Sequence, residues 1–319
     1  MQKAEKLPYM KRLAKKHELT AEELLKRYKK RFHATLGVLI AFIALVAFYL
    51  YLNYDYLAFK HFIAGTYIYT DTMDAVFQKE LGTDVQGKYY RNFDDMVIAV
   101  VTNRIRAEKG DRYTYLYTPS GLIEYKQEEK QEAATSEVKV LNDKTIYLRL
   151  ANFSTYTLKF MHDNMEKLKS RKNIIIDLQD NRGGDIDAMV DISGMFLPKK
   201  SVVATDTFRL WKHVYRSNKD QPLKYDKIII LQNANTASAS ENMIAALNDN
   251  LDNVDLIGSE TFGKGIGQYT LPLKRGYAVK ATILKWFTPK GINIQGDGID
   301  PEIGYTGDNI LQFALDKLG

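Results

Sequence analysis

Cysteine is absent from all 319 residues. Its absence excludes disulfides, a thiolate nucleophile and Cys-ligated zinc. It leaves the compartment open, because an exported protein can dispense with disulfides. Histidine is scarce, with five in all: His17, His33, His61, His162 and His213. Glycine follows no collagen-like period, and no internal repeat is visible. An excess of positive charge is missing from most of the chain. The net charge of +6 invites a nucleic-acid reading. Residues 1–33, however, hold eleven Lys/Arg against four Glu, while the remaining 286 residues hold 34 basic and 35 acidic groups. A near-neutral working part has no electrostatic footprint for nucleic acid. With 45% hydrophobic and 26% charged residues, the chain is too apolar for disorder and long enough for one large or two modest domains.

Charge of either sign is missing again from Ala34 to Tyr54, a run of 21 residues. In a helix that run spans about 31 Å, against a hydrocarbon core of about 30 Å. Lys29, Lys30 and Arg31 flank one end, and Phe48, Tyr49, Tyr51 and Tyr54 crowd the other. This pattern predicts a single transmembrane helix, with residues 1–33 as a basic cytoplasmic tail and everything after about residue 55 outside the cell. A cleaved signal peptide fits less well: the basic region and the apolar run are both too long, and no small-x-small site follows. A buried core helix would show a one-sided polar stripe, and none is present. Thr20-Ala-Glu-Glu23 resembles a capping box opening a short helix over 21–32.

Beyond the apolar run, residues 58–105 read as helical. The apolar spacing is Met73, Val76, Phe77, Leu81 and then Phe93, Met96, Val97, Val100, Val101, Ile105. The polar stretch Gln127–Glu137 reads as an exposed linker or hairpin loop. Strands are expected at 138–140, 145–151, 173–178, 227–232 and 254–258, and two more around a turn within 276–288. Helices are expected at 157–169, 186–196 and 241–247. Strands alternating with helices predict an α/β core with a largely parallel sheet.

Three loops follow strand signals, where open α/β sheets place their sites. They are Asp180-Asn-Arg-Gly-Gly184, Asn235-Thr-Ala-Ser-Ala-Ser-Glu241 and Thr261-Phe-Gly-Lys-Gly265. The third, with Gly258 before it, fits G-x-x-x-x-G-K. Gly265 stands where a P-loop needs Ser or Thr, however, and the next residues look like a strand. A plain glycine turn with a surface lysine is the ordinary alternative. In the second loop, Ser238 or Ser240 could be a simple helix cap or a nucleophile near backbone N–H groups. None of the five histidines falls in a strand-end loop, and His213 is the fairest candidate for a Ser-His-Asp triad. A lysine kept neutral by desolvation can serve as the base instead, and Lys264 between Phe262 and two glycines suits that role.

Together IIIDLQDNRGG, TASASE, ETFGKGIGQ and TPKGINIQGDGIDPEI resemble the C-terminal processing (tail-specific) serine proteases, over roughly residues 138–305. The segment Gly110–Pro119 resembles the part of that family that closes its N-terminal helical region. The resemblance implies a crotonase/ClpP-like ββα protease core over 138–319, after a helical N-terminal region and linker over 55–137. It implies Ser238 as nucleophile, Lys264 as base and Gln268 as the residue orienting that lysine. The oxyanion hole would come from the backbone of Ala239 and of Gly183 or Gly184. Asp249 matches an aspartate sometimes implicated in the family, with a helix-end polar role as the alternative. Ser240 and Glu241 read as capping and structural.

The implied function is a membrane-anchored serine endopeptidase that cuts extracytoplasmic or membrane-associated proteins through an acyl-enzyme, without metal or cofactor. Family members usually carry a PDZ domain between the helical region and the core. Only Ser120–Val138 lies there in this chain, too few residues for a domain. A non-catalytic, outward-facing binding or regulatory protein on a protease fold is the rival reading. An acyl-CoA enzyme of the crotonase type is another, though CoA is cytoplasmic. Protein or peptide is the expected partner. A homo-oligomer or a substrate-presenting partner stays open, since apolar helices within 58–105 could form a lid or a dimer interface.

Overall fold

A computed structural model describes residues 21–82, 95–109 and 111–319. Thr20 of the expected capping box, Phe93 of the expected helical face, Gly110 of the upstream motif and much of the basic tail lie outside them. The chain divides into two compact units, residues 1–54 and 55–319. The described part of the first is one helix, α1 (Ala21–Leu52), so the expected helix over 21–32 and the apolar run are continuous. From Glu22 to Leu52 it is long and apolar enough to cross a membrane, and its side chains are exposed throughout.

The second unit is built on two sheets. One has six strands in the order β11 (Ile303–Gly304), β8 (Val254–Gly258), β7 (Lys227–Gln232), β4 (Asn173–Asp177), β3 (Thr145–Arg149) and β2 (Glu137–Val140). All neighbours are parallel except β2 with β3. Unbroken Ile/Leu runs fill β4 and β7 because both faces are covered. One face packs on α5 (Thr155–Asp163), α6 (Ile186–Gly194) and α7 (Ala239–Asn250), around Ile174, Ile176, Ile228 and Ile230. The other face, with Ile175, Ile229 and Leu231, is covered by α8 (Ile310–Leu318) through Ala314.

The second sheet is antiparallel. In it β1 (Tyr115–Tyr117), β10 (Ala278–Phe287), β5 (Val202–Phe208) and β6 (Lys212–Arg216) lie in that order, with β9 (Ile266–Pro272) on the other edge of β10. One face of this sheet carries α2 (Thr70–Leu81), α3 (Asp95–Lys109) and the π-helical turn Ala58–Ile63. Met73, Val76 and Phe77 are buried as the spacing predicts. On α3 the buried stripe is Ile98, Val101 and Ile105, while Met96 and Val100 face out.

Three expectations are corrected. Residues 127–133 are not a linker but the end of α4 (Pro119–Ala133). Pro119 sits at its start, Thr118 Oγ1 accepts from Gly121 N at 3.1 Å, and a run of Glu, Lys, Gln and Ala carries it on. The run lacks an apolar stripe because one side of α4 faces a polar cleft. Within residues 276–288 there is one long strand, β10 (Ala278–Phe287), and not two, since β9 pairs along one edge while β1 and β5 share the other. The helix expected over 157–169 breaks at Asn164 into α5 and a single turn, Met165–Leu168.

Candidate active site

The three singled-out loops leave the C-terminal ends of β4, β7 and β8, which are adjacent parallel strands. Hydrogen bonds tie the loops together. Asn181 is fully buried, and its carbonyl accepts from Ala237 N at 3.0 Å and Ser240 Oγ at 2.9 Å. Asp180 Oδ1 accepts from Asn235 Nδ2 at 2.9 Å, which holds its carboxyl below the usual range. Between the second and third loops stands Glu241, fully buried on the first turn of α7. Its Oε1 accepts from Thr261 Oγ1 at 2.6 Å and Gly263 N at 2.7 Å. Its Oε2 accepts from Ser238 N at 2.6 Å and Lys264 N at 3.0 Å. One carboxylate thus fixes the backbone of both candidate reactive residues. Ser240, by its bond to Asn181, is structural as well.

Ser238 precedes α7 with φ 60° and ψ −116°, left-handed backbone that a non-glycine residue seldom adopts. Such strain costs on the order of 1–3 kcal/mol and persists only where neighbours over-determine it. Here Glu241 holds the N–H. Gly183 packs so closely that a Cβ on it would lie 2.9 Å from Ser238 Cβ and 2.8 Å from Ala239 N. Only glycine, at φ 96°, fits that contact.

The two glycines differ in what their N–H groups do. Gly183 N donates to Asn181 Oδ1 at 2.9 Å. Phe153 N donates to Gly183 O at 3.0 Å, and Asp185 N donates to Phe153 O at 2.7 Å. In a trans peptide the N–H of Gly184 points opposite to the Gly183 carbonyl, hence away from Phe153. Gly184 is exposed and lines the cleft. Among the described residues neither Gly184 N nor Ala239 N, the first N–H of α7, has an acceptor. The pair with free N–H groups is therefore Gly184 and Ala239, while Gly183 is a spacer.

Ser238, Lys264 and Gln268 line one cleft of about 1150 Å³. The backbone of Lys264 is held from both sides: its N–H donates to Glu241 and its carbonyl accepts from Trp286 Nε1 at 2.7 Å. Its Nζ lies 4.5 Å from the centre of the Tyr113 ring. Among the described hydrogen bonds none joins Ser238 Oγ to Lys264 Nζ. Burial pushes the Lys264 amine down to about 8, helped by Lys280 and Arg112 and opposed by Glu241 and Asp111. Gln268, on β9 opposite Thr282, keeps its Nε2 buried with no hydrogen-bond partner. Asp249 stays out of the cleft. It pairs with Lys290 at 3.1 Å and accepts from Lys290 N at 3.1 Å beside a separate pocket of about 180 Å³. His213 lies on β6, exposed and outside the cleft lining, edge-on to Tyr215.

Two neighbours were not singled out by the sequence: Tyr113, which faces the lysine, and Lys280, whose charge depresses it. Both come from outside the three loops. The signal for Lys280 is its place on β10 opposite Thr270, two residues beyond Gln268 on β9. No group of His, Cys, Asp or Glu among the described residues could hold a metal ion.

Comparison with known proteins places the chain among serine proteases of one family. The chain is 34% identical over 159 residues to the carboxy-terminal processing protease CtpA of Bacillus subtilis (strain 168), covering 49% of this chain and 34% of that protein. It is 36% identical over 156 residues to a CtpA-like serine protease of Staphylococcus aureus (strain N315), covering 46% and 31%. The chain thus spans about a third of the length of these curated relatives. In fold it is similar to a lipoprotein structure from Streptococcus agalactiae, with a TM-score of 0.59 and 19% identity over 80% of this chain and 90% of that one. The pattern of peptidase family S41 matches residues 144–305, which is just over half of the chain and holds all three interlocked loops, and the chain belongs to that family.

Proposed function

We propose that this chain is a serine endopeptidase working through Ser238 and Lys264, anchored in the cell membrane by residues 34–54 with its catalytic unit outside. The single observation that carries the reading is the Glu241 carboxylate. It binds Ser238 N and Lys264 N with one oxygen, so serine and lysine are held together in one polar cleft. Neutral Lys264 takes the Ser238 proton as the hydroxyl attacks the scissile carbonyl. The N–H groups of Gly184 and Ala239 hold the oxyanion, each such donor being worth about 10²–10³ in kcat. The lysine, now charged, protonates the leaving amine, and water then releases the acyl group. Gln268 is the neutral group that orients the amine, where a carboxylate would favour its protonated form. The contact of Lys264 with Tyr113 is worth about 0.5–2 kcal/mol while the amine is protonated, and the neutral amine is free to leave it for Ser238. That α4 connects β1 directly to β2 supports the reading that no PDZ domain is inserted there.

A serine-directed fluorophosphonate tests the reading directly. The full-length protein in detergent should be labelled at Ser238 and should cleave an unstructured polypeptide. Absence of both, in protein shown to be folded, would favour the non-catalytic binding protein.

The base makes a separate prediction. Lys264 acts in its neutral form, so kcat/KM should rise about tenfold per pH unit below 8 and level off above it. Lys280→Met removes a neighbouring positive charge, lets Lys264 hold its proton longer and should move that limb to higher pH. A profile flat between pH 6 and 9 would rule out a lysine base.

A further inference from the structure

Six carboxylates line the cleft (Glu128, Glu129, Glu132, Asp185, Asp187 and Asp206) against three cations, Arg182, Lys264 and Lys280. The carboxylates differ in kind. Asp206 sits inside the antiparallel sheet, opposite Trp286 on β10 and His213 on β6, and is only 2% exposed. Its Oδ1 is buried without a hydrogen-bond partner. Asp187 and the Tyr215 hydroxyl are its charged and polar neighbours, and both line the same cleft. Burial, with Asp187 close by, pushes the Asp206 carboxyl up to about 6, so it is mostly ionised at neutral pH. Among the described residues no Lys or Arg forms an ion pair with Asp206, Asp187 or Asp185.

A buried carboxylate with an open oxygen is costly unless something pairs with it. The Asp187 charge close by makes that cost larger, whereas Asp185 Oδ1 is already engaged as the cap of α6, accepting from Ala188 N at 2.8 Å. A cation entering from the cleft would relieve Asp206 and Asp187 at once. Location fixes which cation. Asp185 directly follows Gly184, so the acidic wall begins one Cα step, about 3.8 Å, from a proposed oxyanion donor. An extended substrate advances about 3.3 Å per residue, so the wall faces the residues on either side of the scissile bond.

Resting on the peptidase reading above, we propose that Asp206 and Asp187 form a subsite for a cationic substrate side chain, lysine or arginine, within two residues of the scissile bond. Binding to the full-length Ser238→Ala protein tests this without any need for turnover. The probes are degenerate peptides with one position fixed as Arg, Lys, Gln, Leu or Glu, read by fluorescence anisotropy. Arg and Lys pools should bind about 10–100-fold more tightly than the Gln pool. Adding Asp206→Asn should remove most of that preference and leave Leu binding unchanged. Because Asp206 is buried, the exposed Asp187→Asn provides a second variant that should weaken the preference without risk to the fold. Equal binding of Arg and Gln pools, or a preference that survives both substitutions, would overturn the subsite. A clear preference in a protein that never hydrolyses peptides would overturn the catalytic reading and leave the subsite standing.

Discussion

Ser238→Ala and Lys264→Met are each expected to lower kcat by about 10⁴–10⁶-fold, and the double variant to be no worse than either single one. Nucleophile and base act as a unit, so removing one leaves the other nothing to do. What remains in either case is the oxyanion pair, Gly184 and Ala239, plus binding, which is worth about 10³–10⁴ over water. KM should move little, because neither side chain is assigned to ground-state binding. Lys264→Arg is expected to fail as badly as methionine, since a guanidinium does not lose its proton near neutral pH. Single-turnover assays on the full-length protein measure all four. Activity within tenfold of wild type in Lys264→Met would remove the lysine from the chemistry, and additive losses in the double variant would show that the two act independently.

Those two residues were legible because each lies in a short loop directly after a buried strand, and buried parallel strands announce themselves as unbroken Ile/Leu runs. The runs at 173–178 and 227–232 coincide with β4 and β7. The polar helix α4 was not legible. Its outward pattern is that of a solvated linker, and only the cleft it walls explains why a helix there needs no apolar stripe. β5 and β6 carry no clear strand signal for a related reason: β6 is exposed along nearly its whole length, and its pairing with β5 is a property of the sheet. Asp206 is unremarkable in sequence and unusual only once β10 and β6 close over it. The family resemblance gives Glu241 a structural role, and its four hydrogen bonds fit that role. Its reach across to Gly263 and Lys264, twenty-two and twenty-three residues away, could come only from the fold.

Glu241 should therefore be the most damaging site in the unit outside the chemistry itself. Alanine there leaves four donors without an acceptor: Ser238 N, Thr261 Oγ1, Gly263 N and Lys264 N. Buried donors left unpaired cost about 1–3 kcal/mol each where water cannot reach them, and partial relaxation brings the expected total to about 3–5 kcal/mol. Glutamine keeps the shape but offers one acceptor oxygen and turns an NH₂ toward the other two donors, so its loss should fall between that of alanine and zero. Asp249→Ala provides the comparison, since its partner Lys290 is largely exposed, and it should cost no more than about 1 kcal/mol. Activity should follow a different order from stability. The strained Ser238 backbone relaxes once Glu241 no longer holds its N–H, and a misplacement of about 1 Å costs on the order of 10²-fold in rate. Glu241→Ala should then be slow even at temperatures where it is fully folded, whereas Asp249→Ala should be normal wherever it is folded. Denaturant midpoints and kcat measured side by side separate these effects. If Glu241→Ala shifts the midpoint no further than Asp249→Ala, the carboxylate is not what joins the two loops.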